Sequence, residues 1–145
     1  MFDQPSRTRP ARLDDGERVW PLARAFATSF TPERAAFDRT WTQLVDVPGT
    51  LLLVAEAADG GIVGYLLGSS HLTFLANGPV AWVEEVMVDE TVRGSGVGRQ
   101  LMDHAEQWSR SKGAAYLALA SRRAGPFYQA LNYENSATFY KKTLT

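Results

Sequence analysis

Val86-Met87-Val88-Asp89-Glu90-Thr91-Val92-Arg93-Gly94-Ser95-Gly96-Val97-Gly98-Arg99-Gln100-Leu101 places three alternating glycines between an apolar run and a helix-period run. Residues 80–88 predict a strand, and residues 95–111 predict a helix with Val97, Leu101, Ala105 and Trp108 inward. The first N–H groups of a helix have no intrahelical partner, and the helix dipole is positive at that end. A strand, a glycine turn and a helix in that order therefore make an anion cradle. Gly94, Gly96 and Gly98 lack the Cβ atoms that would hold a phosphate away, and Arg93 and Arg99 add side-chain charge. The plain alternative is a glycine-rich connection without a ligand. That connection would give up backbone entropy at a helix start with no structural return.

Two familiar nucleotide loops fail on particular residues. A Walker loop ends in Gly-Lys-Ser/Thr, whereas Arg99-Gln100 follows Gly98. A dinucleotide fingerprint needs glycine at position 99 and an acidic residue about 20 positions on. Arginine occupies the first place, and Arg110, Ser111 and Lys112 stand near the second.

Outward from the loop, residues 8–12 predict a first strand, followed by a helix capped by Asp14 or Asp15. Thr31-Pro32-Glu33 predicts a second helix start, and Pro48-Gly49 its stop. Residues 50–57 and 62–72 flank Asp59-Gly60-Gly61 and predict an antiparallel hairpin. Asn77-Gly78-Pro79 marks the next turn. Residues 116–120 predict a strand, 124–131 a short helix, and 133–144 one or two strands that close the sheet. This order predicts an α/β fold: a mixed, mostly antiparallel sheet with helices on both faces.

A chain of 145 residues suits one domain, expected over 1–145 with residues 1–6 as a flexible amino terminus. At that size it buries roughly 68% of its unfolded surface and needs no staple. It has no cysteine, so it offers no thiolate nucleophile and no disulfide framework. His71 and His104 are its only histidines, and no zinc-ligand spacing surrounds them, so no metal is expected. No apolar stretch approaches the ~18 residues of a membrane span, and no signal core opens the chain. The expectation is a soluble cytoplasmic protein that does not engage membrane.

Net charge is −1, which provides no global field toward nucleic acid. Residues 1–92 are acidic, with 7 basic against 13 acidic side chains. Residues 93–123 are basic, with 6 against 2. A solvated helix face accounts for such a run; an anion site beside an acidic surface accounts for it as well.

The glycine stretch resembles motif A of the GNAT superfamily of N-acetyltransferases, Arg/Gln-x-x-Gly-x-Gly/Ala after an apolar-x-Val strand. Ser121-Arg122-Arg123-Ala124-Gly125-Pro126-Phe127-Tyr128 through Asn132-Tyr133 is similar to a second family motif, with Ser121 in place of the frequent Asn and Asn132 in place of Gly. Asn is the next-best residue for a left-handed helix end. The resemblance covers about residues 7–144 and implies acetyl-CoA, or a close acyl-CoA, as co-substrate. Backbone N–H groups of Gly94, Ser95, Gly96, Val97, Gly98 and Arg99 would hold its pyrophosphate, beside Arg93. The strand segment Val86, Met87 and Val88 would lie along the pantetheine arm, with Val86 and Val88 pairing through their main chain. Ser121 and Tyr128 border the same site.

Acetyl transfer to an amine needs a base for the ammonium, donors for the oxyanion and an acid for the leaving thiolate. The resemblance implies the Val86 N–H as oxyanion donor and Tyr128 as acid; packing beside Phe127 is the alternative for Tyr128. Glu84 and Glu85 are adjacent carboxylates in an apolar strand, costly unless paired or used. Strand parity groups Trp82, Glu84, Val86 and Val88 on one face, and Val83, Glu85 and Met87 on the other. The resemblance implies a base at the positions of Trp82 or Glu84, and an indole cannot take the proton, so Glu84 is the first choice as base. Glu85 is the second, since a bulge would upset the parity, and a structural salt bridge is open to either. Phe30, Phe37, Trp41, Phe74 and Leu75 belong to the acceptor site, the core, or a homodimer contact. The expected activity is direct acetyl transfer to a primary amine, with a small-molecule acceptor. A non-catalytic acyl-CoA sensor and a protein N-terminal or lysine acetyltransferase are the alternatives.

Overall fold

Alternation and turn chemistry build the sheet. In the computed structural model, which describes residues 6–26, 30–122 and 124–145, strand β2 (Thr50–Glu56) pairs antiparallel with β3 (Ile62–Thr73). Strand β1 (Arg7–Pro10) flanks β2, and β4 (Gly78–Val88) flanks β3, both antiparallel. Strand β5 (Leu117–Leu119) adds to β4 in parallel, giving the order β1-β2-β3-β4-β5. The expected mixed, mostly antiparallel sheet is observed. Residues 1–5 of the expected flexible terminus lie outside the described residues, as does Arg123 of the basic segment.

Helices α1 (Gly16–Ala25) and α2 (Arg34–Leu44) cover one face of the sheet, and α3 (Val97–Ser111) covers the other. Successive residues of β2 serve opposite faces. Leu51, Leu53 and Ala55 pack with Leu101, Met102 and Ala105 of α3, while Leu52 and Val54 pack with Val19, Leu22 and Trp41. Burial on both faces explains why residues 51–55 read as a continuous apolar run rather than an alternation. Each such leucine contributes about 1.5–3 kcal/mol by leaving water.

Several boundaries move for identifiable reasons. Helix α2 begins at Arg34, with Glu33 extended before it, so Thr31 does not cap it. Helix α3 begins at Val97 because Gly96 is left-handed, φ 94°. Asn132 takes the expected left-handed conformation after α4 (Gly125–Ala130), φ 71°. Asp15 occupies the N-cap position of α1 but neither aspartate caps it through a side chain; the Asp15 carboxylate accepts instead from the Arg12 N–H, at 2.7 Å.

The predicted closing strand over 133–144 is absent. Residues 133–145 carry no strand, and Phe139, Tyr140 and Leu144 are exposed. The edge beside it offers little to pair with, since β5 is three residues long. Tyr133 is drawn instead to α3, where its hydroxyl donates to Glu106 at 2.8 Å.

Candidate active site

The cradle is built as its residue types require. Asp89 accepts hydrogen bonds from the Thr91 N–H (2.9 Å) and hydroxyl (2.7 Å), shaping the turn that leaves β4. Gly94 (φ 84°) and Gly96 (φ 94°) are left-handed, and a Cβ on either would meet open space. The first bond of α3 runs from Gln100 N–H to Gly96 O, 3.0 Å, and no side chain caps the helix. Among the described residues, the N–H groups of Gly94, Gly96, Val97, Gly98 and Arg99 have no acceptor. Gly98 departs from the expected role. A Cβ there would sit 3.2 Å from Phe127 Cζ, so this glycine lets α4 approach the start of α3 rather than clearing space for a ligand.

Beside the cradle, the sheet opens. Strands β4 and β5 pair only at Ala81, Trp82 and Val83. Beyond Val83 the β5-facing edge of β4 has no partner strand among the described residues. The Asp89 N–H donates to Val63 O on β3, at 2.8 Å. Main-chain groups alternate along a strand, so those of Val86 and Val88 face the open edge. Arg93 Nε reaches that edge and donates to Val88 O at 3.2 Å.

A β-bulge begins the opening and overturns the parity expected for β4. Leu67 pairs with Glu85 and Gly68 with Val83, leaving Glu84 as the extra residue. Val83 therefore shares the α3 face with Val86 and Val88, while Met87 packs on the α1–α2 side. Glu84 is exposed. Glu85 lies in a cleft of about 350 Å³ between α1, α2 and the sheet, and accepts a hydrogen bond from the Tyr65 hydroxyl at 2.7 Å. Burial, and then the Glu85 carboxylate, push the Tyr65 phenol well up, so Tyr65 remains a donor to Glu85.

Tyr128 stands on the opposite side of the sheet. It packs on the cluster containing Val83, Val97 and Leu101, edge-on to Phe127 (5.0 Å) and Tyr133 (6.0 Å). Burial raises its phenol, so it carries its proton throughout the neutral range. Ser121 caps the following turn by accepting the Ala124 N–H at 3.0 Å. The structure thus gathers Val86, Val88, Val97 and Tyr128 on the α3 side and Glu85 on the other, with the open β4 edge between them. Glu84 joins neither group.

Phe30, Phe37 and Trp41 line the cleft, whereas Phe74 and Leu75 are fully exposed at the β3–β4 turn and do not reach it. Tyr65 and Phe26 complete the cleft and were not singled out from the sequence. For Tyr65 a signal existed: it shares the β3 face of Leu67, the register partner of Glu85. No helix among the described residues is long and apolar enough to cross a membrane.

Residues 17–133 match the family described as Acetyltransferase (GNAT) family. An aminoglycoside N(6')-acetyltransferase type 1 from Stenotrophomonas maltophilia is 37% identical over 82 residues. That match spans 54% of this chain and 53% of the relative, so the likeness covers about half of each. Among solved structures, a glucosamine-6-phosphate N-acetyltransferase from Arabidopsis thaliana superposes with TM-score 0.85 at 19% identity, covering 97% of this chain and 99% of the other. A Trypanosoma brucei acetyltransferase gives 0.82 at 25% identity, covering 96% and 99%. The open cradle, the parted strands and these likenesses agree: this chain belongs to the GNAT acetyltransferase family.

Proposed function

We propose that this enzyme transfers an acetyl group from acetyl-CoA directly to a primary amine on a small molecule. The observation that carries the reading is the set of unpartnered N–H groups of Gly94, Gly96, Val97, Gly98 and Arg99 beside the open β4 edge; the Ser95 N–H, also expected there, donates instead to Val92 O at 3.3 Å. These groups suit a diphosphate, and the main chain of Val86 and Val88 suits an amide-bearing arm laid along β4 as an added strand. Bound acetyl-CoA would supply the acetyl thioester: the amine nitrogen bonds to its carbonyl carbon, the carbon–sulfur bond breaks, and an amide and free thiol result.

The residues divide that work between the two faces of the sheet. Glu85 accepts the proton the ammonium must lose before its nitrogen can attack. The Val86 N–H donates to the carbonyl oxygen as negative charge develops there. Tyr128 gives its proton to the departing sulfur from the α3 side and regains one from solvent. Glu85 replaces Glu84 as the base in this reading because Glu85 faces the cleft and Glu84 is the exposed bulge residue. No cysteine exists to carry an acyl-enzyme, which favours direct attack. The small-molecule acceptor accords with the aminoglycoside named for the Stenotrophomonas relative.

Calorimetry with acetyl-CoA, followed by thiol release over a panel of amines, tests the reading. Saturable binding and amine-dependent thiol release are expected. Absence of binding would remove the coenzyme from the assignment, and binding without turnover of any amine would leave a sensor.

A further inference from the structure

The cleft that receives Glu85 has walls of a particular chemistry. Phe26, Phe30, Phe37, Trp41, Leu44 and Leu67 are among the residues that line it. The polar edge of Trp41 is already engaged, since its indole N–H donates to Leu13 O at 2.9 Å. Trp41 therefore offers the cleft no free donor. Phe37 stacks on Trp41 with ring centroids 5.7 Å apart, which holds both rings in place. Among the described residues, the lining contains no basic side chain. Its carboxylates are Glu85 at the sheet and the exposed Glu33.

We infer that the acceptor is an amine carrying one positive charge on an apolar, aromatic body, of the arylalkylamine class. Such a molecule sets its ammonium toward Glu85 and its ring among Phe30, Phe37 and Trp41. Both ends then meet matching chemistry. A volume of about 350 Å³ lies at the low end of the ~300–1,000 Å³ typical of small-molecule sites, which suits a single ring with a short chain. A polyhydroxylated polycation fits poorly. Its hydroxyls would be stripped of water against aromatic walls, and its further charges would face one buried-side carboxylate. The relative from Stenotrophomonas is named for such a substrate, but its likeness covers only half of this chain. The inference rests on the acetyltransferase reading for the fate of the amine, though not for its binding.

The test uses 2-phenylethylamine, spermidine and kanamycin as probes. Thiol release with acetyl-CoA is expected to give a kcat/KM for 2-phenylethylamine at least about tenfold above either polycation. Phe30→Ala and Phe37→Ala should each raise its KM several-fold while the Kd for acetyl-CoA stays within about twofold, as expected when only acceptor contacts are lost. Phe30 is 60% exposed, so its variant folds even where the Phe37 change loosens the core. Preference for spermidine or kanamycin, or an unchanged KM in both variants, overturns the inference and leaves the acetyltransferase reading standing. In parallel, 2-phenylethylamine is titrated against tryptophan fluorescence without acetyl-CoA. Binding weakened by Phe30→Ala supports the cleft assignment even if no amine is turned over, an outcome that removes the transfer reading alone. No binding overturns the assignment.

Discussion

Two neighbouring glutamates show how much one inserted residue decides. Regular parity would send Glu84 and Val86 to the same face; a single bulge turns Glu84 out to solvent instead and leaves the cleft to Glu85. Replacement of each by glutamine separates their roles. Glu85→Gln is expected to lower kcat/KM by about 10²-fold or more, the usual worth of a general base, and to move the rising limb of the pH–rate profile. Glu84→Gln should leave that limb in place; a reversed pattern in steady-state kinetics would return the role to Glu84. Tyr128→Phe should reduce kcat by about 10²-fold with acetyl-CoA affinity near normal, measured by turnover and calorimetry side by side. A phenylalanine keeps the packing on Phe127 and Tyr133, so lost turnover reports the missing proton rather than a missing ring.

The unit of strand β4, glycine turn and helix α3 uses its glycines for two different purposes. Gly96 supplies a left-handed backbone that L-residues with a Cβ adopt at a cost of roughly 1–2 kcal/mol. Gly96→Ala should destabilise the protein by about that amount in urea unfolding and weaken acetyl-CoA binding in calorimetry, because the same residue starts α3 and aims its N–H groups. Gly98→Val acts elsewhere. Its side chain would meet Phe127, 3.2 Å from the first added carbon, and should cost about 1–3 kcal/mol by overpacking. Displacement of α4 would carry Tyr128 with it, so turnover should fall even if the coenzyme still binds. The motif spacing made all three glycines visible in the sequence, but the division of labour among them depends on where α4 comes to rest.

Across the molecule, one buried ion network ties the first strand to the first helix. Arg9 and Asp15 are nearly fully buried and joined by two hydrogen bonds, 2.8 and 2.9 Å, with Arg18 on Asp15 and Glu56 on Arg9. Burial alone would raise the Asp15 carboxyl, but the Arg9 guanidinium and the Arg12 N–H outweigh it and hold the pKa at about 2. The folded value lies below the ordinary value of 3.8, so the pair stabilises the fold by about 2 kcal/mol above pH 4. That contribution is lost as pH falls toward 2, which acid unfolding followed by circular dichroism should record. Asp15→Asn should cost about 3 kcal/mol at neutral pH by taking from buried Arg9 the nearer of its two carboxylates, with a matching fall in Tm. Local patterns were enough to reveal the hairpin of β2 and β3, the glycine cradle, the helix faces and the family, because turn residues and apolar periodicity act over a few neighbouring positions. They also made Glu84, Glu85 and Tyr128 stand out. The bulge that turns Glu84 aside, the Tyr65 hydroxyl that holds Glu85, the aromatic cleft and the lack of a strand over residues 133–145 each depend on a partner distant in the chain. Register against β3, the length of β5 and the seating of α2 are set by packing between elements, and packing leaves no periodic signature in any one of them.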